Sequence, residues 1–320
     1  MFKSIGFPKS DKSNEKRIAL LPEDVKKMEK KEFLFFEENY GEHHGIDDKE
    51  YILAGANVCS REEVLRKNII CDPKIGDAGY LQDLKDVTIF GWIHAVQNRN
   101  ITDLIIKNKI TAFAWEDMYF KGRHIFWRNN EIAGEAAVLH AFMEFGILPY
   151  ECNVALIGRG NTARGALKTL TMFGAQVTVF DKYTEKLLRD EISQFDVVIN
   201  CVLWDTTRED HLVYQNDLKK MKNGSLIIDV SCDKNGGIES SIPTTLNNPI
   251  FYLEKVGHYA VDHTPTIFYK STSKTISANL PNFLDQLLKS EFDEVMEKAK
   301  IIDQGNILDE RINVFQKRGK

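Results

Sequence analysis

Along the first third of the chain, short apolar runs at 5–7, 33–37, 68–71, 87–92 and 110–115 alternate with charged stretches of helical spacing at 22–30, 48–54 and 101–108. Strand-length runs separated by helical stretches predict a parallel sheet covered by helices. A long helix follows over 130–145, where Ile132, Ala136, Ala137, His140, Ala141 and Phe145 share one face; it is placed to cross from a first domain to a second. The rhythm then restarts. Strands are expected over 154–157, 175–180, 196–202 and 225–230, with a helix over 215–221. Amphipathic helices over 273–288 and 291–302 should pack back onto the first domain, with the polar tail after Gln304 peripheral. The fold class expected is α/β: two Rossmann-like doubly wound domains with an active-site cleft between them, linked by long helices. The boundaries read as 1–133 plus 266–320 for a substrate (catalytic) domain and 134–265 for a nucleotide-binding domain.

The most specific local signal lies at the start of the second half. The run Val154-Ala155-Leu156-Ile157 feeds Gly158-Arg159-Gly160-Asn161-Thr162-Ala163, a G-x-G-x-x-A pattern between a strand and a helix. Glycines there let backbone N–H groups approach a pyrophosphate at the helix N-terminus, and Ala163 is small enough for close helix–strand packing. Asp181 ends the next predicted strand, about 20 residues past the first glycine, where a carboxylate holds a ribose hydroxyl. Lys182 follows it. Val202, Leu203 and Cys232, after the later strands, complete the expected nucleotide-binding set.

Composition narrows the function classes. With 43% hydrophobic and 28% charged residues the chain is globular rather than disordered or fibrous. The net charge of −5 arises from 42 basic and 47 acidic residues mixed along the chain, so no basic stripe points to nucleic acid. Five scattered cysteines, none in C-x-x-C spacing, argue for reduced thiols and against a disulfide framework or a metal site. The N-terminal residues lack a signal-peptide pattern and no segment approaches 18 uninterrupted apolar residues, so a cytoplasmic protein without membrane attachment is expected.

Three residues in strand-to-loop positions of the first third are candidates for substrate chemistry, because open parallel sheets bind ligands beyond the carboxyl ends of their strands. Arg17 precedes Leu20-Leu21-Pro22-Glu23 and offers a planar fork for a carboxylate; Lys74 follows Ile69-Ile70-Cys71; His94 follows Phe90-Gly91-Trp92-Ile93 and can move protons near neutral pH. In isolation each is more simply a solvated charge or a satisfied core histidine.

Ordered motifs change that balance. Gly6-Phe7-Pro8-Lys9 through Glu15-Lys16-Arg17-Ile18-Ala19-Leu20-Leu21-Pro22 resembles the N-terminal signature of the alanine dehydrogenase and transhydrogenase family. Further matches follow in the family's order: Lys74, Trp92-Ile93-His94, Trp115-Glu116, Asn130-Glu131-Ile132-Ala133-Gly134, and Asp229-Val230-Ser231-Cys232-Asp233 with Gly236-Gly237. The resemblance implies that Lys74 and Arg17 hold the substrate, that His94 is the general acid and base, and that Asp233 is the active-site aspartate of the second domain, although a turn aspartate is the simpler reading of Asp233 alone.

Where alanine dehydrogenases carry an apolar run, this chain has Asp262-His263-Thr264-Pro265, similar to the Asp-His-x-Pro of saccharopine dehydrogenases, which handle a diamino acid. The resemblance therefore implies reductive condensation of pyruvate with the side-chain amine of ornithine or lysine. Glu116 and Asp262 are then expected to meet an α-ammonium and His263 to shape the pocket; Asp262-His263 as a structural hinge is the alternative. The same resemblance implies NADPH, ahead of NADH despite Asp181, and a homo-oligomer, expected as a tetramer. Rival readings are an enzyme of alanine or saccharopine dehydrogenase type, and a catalytically silent nucleotide-binding module.

Overall fold

The structure, a computed structural model, describes residues 2–205, 208–232 and 236–319. The chain divides into two compact units, Met1–Phe126 with Tyr269–Lys320, and Trp127–Phe268. Each is a Rossmann-like α/β layer structure.

In the first unit β1 (Ile5–Phe7), β2 (Leu34–Glu37), β3 (Asn57–Cys59), β4 (Ile69–Cys71), β5 (Thr88–Gly91) and β6 (Thr111–Ala114) run parallel in the order β3-β2-β1-β4-β5-β6. Successive strand residues feed opposite faces: Ile69, Cys71, Phe90 and Phe113 enter one buried cluster, and Ile70, Ile89 and Ala112 the other. That two-sided burial is why these strands read as continuous apolar runs rather than as alternating ones. The direction of the connections reverses between β1 and β4, so a crevice is expected at their carboxyl ends.

In the second unit β7 (Asn153–Ile157), β8 (Gln176–Phe180), β9 (Val197–Asn200), β10 (Leu226–Asp229), β11 (Ile250–Leu253) and β12 (Val256–Tyr259) take the order β8-β7-β9-β10-β12-β11, parallel except for β11. Its switch point lies between β7 and β9. Helix α1 (Trp127–Phe145) belongs wholly to this unit rather than crossing into it, and packs along α2 (Asn161–Met172).

The C-terminal segment departs from its expected pattern in two places. The helix expected over 273–288 is two, Tyr269–Asn279 and Pro281–Lys289, because Pro281 starts a helix readily but has no N–H with which to continue one. The helix expected over 291–302 covers only Glu294–Ala299; the β-branched pair Ile301-Ile302 is buried in a strand, Lys300–Asp303, that pairs antiparallel with β6. Among the described residues no helix is long and apolar enough to cross a membrane.

Candidate active site

The glycine loop of the second unit connects β7 to α2. Gly158 has φ 114°, a backbone conformation open to glycine, and a Cβ added to it would lie 3.3 Å from the Cys201 carbonyl oxygen. Gly160 caps α2 without any side-chain hydrogen bond, and a Cβ added there would meet nothing within 4 Å. The first turn of a twelve-residue helix, Asn161-Thr162-Ala163, thus starts beside open space at Gly160 with no side chain capping its N–H groups or the positive end of its dipole. This is what a pyrophosphate requires, and the residues fit a dinucleotide.

Two glycines unrelated to the loop motif set the position of that helix. A Cβ on Gly134 of α1 would lie 2.0 Å from the Thr162 carbonyl oxygen, and one on Gly165 of α2 would lie 1.9 Å from that of Glu131. The helices cross backbone to backbone at this point, and only glycine fits on either side. An ionic lattice flanks the crossing, with Arg128 on Glu131 and Glu135, Arg164 on Glu131, and Lys168 on Glu135.

At the end of β8 the Asp181 carboxylate accepts from Arg159 Nε at 2.8 Å, the Tyr183 N–H at 3.0 Å and the Thr184 hydroxyl at 3.2 Å. Arg159 holds the Asp181 carboxyl below the usual carboxylate range. The second residue of the loop and the acid after β8 are thus brought together, while the Lys182 ammonium lies over the Tyr183 ring.

The loops after β9 and β10 are joined from beneath by Asn200, which sequence reasoning missed, and Asp229, which it noted only as the start of a motif. Buried Asn200 donates to Asp229 Oδ1 at 2.9 Å and accepts from the Val202 N–H at 3.1 Å; the same Asp229 oxygen accepts the Cys232 N–H at 3.1 Å. Burial pushes the Asp229 carboxyl up. Val202 and Cys232 are held on this brace, and Leu203 stands 83% exposed beside it. Trp204 is buried in the core beneath the Arg208 guanidinium, so it packs rather than lining a pocket. Asp233 lies outside the described residues.

In the first unit Arg17, Lys74 and His94 follow the carboxyl ends of β1, β4 and β5, bracketing the switch point. Glycine contacts bring the Lys74 and His94 segments together. A Cβ on Gly91 would lie 2.0 Å from the Asp72 carbonyl oxygen and one on Gly76 2.2 Å from that of Ile93, so the turn carrying Lys74 is pressed against the strand end carrying His94.

Arg17 is buried, and its Nε and Nη2 face both oxygens of Glu15 at 2.8 and 2.6 Å, with the guanidinium over the Trp92 ring. The side-on edge expected to clamp a substrate carboxylate is occupied by Glu15. Arg17 and, at longer range, Lys74 offset the cost of burying Glu15 and hold its carboxyl below its ordinary value. Lys74 Nζ lies 3.1 Å from Asp77, which Lys12 also engages at 3.0 Å. Below them Asp72 accepts from the Lys74 N–H and the Tyr80 hydroxyl, and burial raises its carboxyl to about 6.

His94 is exposed and adopts φ 55°. Glu116, expected to meet an α-ammonium, instead accepts the backbone N–H groups of His94 at 2.6 Å and Ile93 at 3.2 Å, and burial pushes its carboxyl up to about 7. It shapes the turn that presents the imidazole. On the second unit His263 is buried with Nδ1 on its neighbour Asp262, and Thr264 donates to the Ala133 carbonyl of α1, tying this segment to that helix.

Comparison with known proteins bears on both units. The N-terminal domain of the alanine dehydrogenase/PNT family matches residues 6–125, and its C-terminal domain matches residues 182–313. An N(5)-(carboxyethyl)ornithine synthase of Clostridium botulinum is 31% identical over 85% of this chain and 91% of its own length. One from Lactococcus lactis is 26% identical over 94% and 99%. An alanine dehydrogenase of Staphylococcus haemolyticus is 27% identical over 87% and 85%. Among solved structures, an L-alanine dehydrogenase superposes with TM-score 0.83 at 21% identity, covering 98% of this chain and 99% of its own. The transhydrogenase of Sinorhizobium meliloti gives TM-score 0.78 at 20% identity, covering 96% and 100%.

Proposed function

This chain belongs to the alanine dehydrogenase/PNT family of pyridine-nucleotide oxidoreductases acting on CH–NH groups, and on that premise we propose that it condenses pyruvate with the side-chain amine of ornithine, lysine being the alternative amine, and reduces the product with NADPH. The observation that carries the reading is the grouping of Arg17, Lys74 and His94 at the carboxyl ends of β1, β4 and β5: two buried cations for a 2-oxo acid carboxylate and one exposed imidazole to move protons.

Arg17 holds the substrate carboxylate, and Lys74 polarises the keto oxygen. Attack of the neutral amine on the keto carbon gives a carbinolamine; His94 returns a proton to the departing hydroxyl, and loss of water leaves the C=N bond. A reduced nicotinamide, when bound, supplies the hydride for that bond. Asp262, beside His263, is the carboxylate proposed to receive the α-ammonium of the diamino acid.

The product tests this reading. Pyruvate, ornithine and reduced cofactor should yield an amine carrying a new carboxyethyl group by mass spectrometry; recovery of alanine from pyruvate and ammonia alone would return the chain to the dehydrogenase activity named for its Staphylococcus haemolyticus relative.

For the cofactor, Arg159 is the group that a 2′-phosphate would take over from Asp181. Arg159→Ala is expected to weaken NADPH about tenfold and NADH by less than about twofold in fluorescence titrations. A wild-type protein that binds NADH more tightly than NADPH would reverse the assignment.

A further inference from the structure

Arg17 lies in a buried stretch that pairs with no strand, so side chains must satisfy its backbone. Four hydroxyls do so. Ser273 accepts the Ile18 N–H at 2.9 Å, Tyr40 the Ala19 N–H at 2.8 Å and Ser277 the Leu21 N–H at 2.8 Å, while Tyr51 donates to the Leu20 carbonyl at 3.0 Å. On the other side of Arg17, His44 Nε2 lies 3.0 Å from the Lys16 carbonyl oxygen. A carbonyl only accepts, so this nitrogen carries the proton. The same Nε2 is 3.4 Å from Ser273 Oγ. The ring is set edge-on against Tyr269, with centroids 5.0 Å apart, and the Tyr269 hydroxyl donates to the His43 carbonyl at 2.9 Å.

We infer that His44 and Ser273 form a clamp that grips the peptide groups on both sides of Arg17 and are positioning residues for substrate recognition; the inference rests on reading Arg17 as the carboxylate-holding residue. Glu15 and Trp92 fix the guanidinium, and the clamp fixes the backbone from which it extends. Neither His44 nor Ser273 needs to touch substrate. Three distant segments, at 16–18, 44 and 273, converge on one side chain, and a guanidinium displaced by even an ångström loses the alignment on which recognition of a carboxylate depends.

In the full-length protein Ser273→Ala should raise the KM for pyruvate roughly tenfold, leave kcat within about twofold and leave cofactor affinity unchanged. In an Arg17→Lys background the same change should move KM by less than about twofold, because the side chain being positioned is gone. An unchanged KM, or equal losses in both backgrounds, overturns the clamp. Should Ser273→Ala fail to fold, the His44 variants decide: His44→Gln, which keeps an N–H, should retain the KM, and His44→Leu should raise it; identical values for the two reject the proposal.

Titration with oxalate, followed by tryptophan fluorescence because Trp92 lies under Arg17, separates this inference from the reaction assignment. Weaker oxalate binding by Ser273→Ala without pyruvate turnover in the wild type keeps the clamp and rejects the substrate. Pyruvate turnover with equal oxalate affinity in both proteins does the reverse, and a wild type that neither turns over pyruvate nor binds oxalate rejects both.

Discussion

Gly165→Ala is expected to destabilise the second unit by about 3 kcal/mol and to weaken dinucleotide binding by more than about tenfold. The added carbon would sit 1.9 Å from the Glu131 carbonyl oxygen, and because the obstacle is backbone, one helix must move away from the other. Whichever moves, the first turn of α2 shifts relative to the loop that precedes it, and the alignment of its N–H groups is lost. Gly160→Ala isolates the second effect. Its backbone has φ −73°, and the new Cβ would meet no protein atom within 4 Å, so stability should hold while the methyl intrudes on the space kept for a pyrophosphate. Denaturant unfolding and cofactor titration on both variants check the pair. Equal losses of stability would show that Gly160 is structural, and unaltered binding in both would remove the loop from the cofactor site.

Glu116→Ala carries the second large effect. His94 stands at φ 55°, a conformation that costs free energy for a residue with a Cβ, and it is held there by the carboxylate that accepts its N–H and that of Ile93. Without that carboxylate the turn relaxes and the imidazole leaves its station, so kcat should fall about a hundredfold, the scale of general acid–base catalysis, with little change in cofactor affinity. Glu116 also carries a pH signature. Its carboxyl is raised on folding from 4.5 to about 7, so the native state binds the proton more tightly than the unfolded chain. The resulting contribution to stability is fully present below about pH 4.5 and is lost as pH rises through about 7. Asp72 adds the same sign between 3.8 and about 6. The stability of the wild type relative to Glu116→Gln should therefore decline from pH 4.5 to 7 in denaturant unfolding, and a flat difference would refute the assignment.

Much of this architecture was legible in the residues. The run from Val154 to Ala163 announced strand, loop and helix because glycine placement there answers to one local geometry, while Lys74 and His94 stood out as polar residues shortly after buried apolar runs and Arg17 as a cation just before the apolar Ile18-Ala19-Leu20-Leu21. Other features carry no local signature. Gly134 and Gly165 look like ordinary small residues on helices until the two backbones are seen to cross. Glu15 reads as one more charge in a polar stretch, yet it is buried against Arg17. The brace of Asn200 and Asp229 and the clamp of Ser273 and His44 join positions 29 and 229 residues apart, a pairing that periodicity cannot report. Glu116 was expected to meet an α-ammonium, and its carboxylate lies on the backbone N–H groups of His94 and Ile93; an acid that holds backbone N–H groups has the same sequence signal as one that holds a ligand. At the C-terminus amphipathic spacing favoured helix over 291–302, and tertiary pairing of Ile301-Ile302 with the β6 edge overrode it.

Initial rates of reduced-cofactor oxidation address the proposed reaction directly. With pyruvate present, NADPH and NADH are run side by side while ornithine, lysine or ammonia is added in turn. The expected result is turnover that requires ornithine or lysine, proceeds faster with NADPH, and disappears in His94→Ala. Equal turnover with ammonia alone, or full activity in His94→Ala, would contradict it.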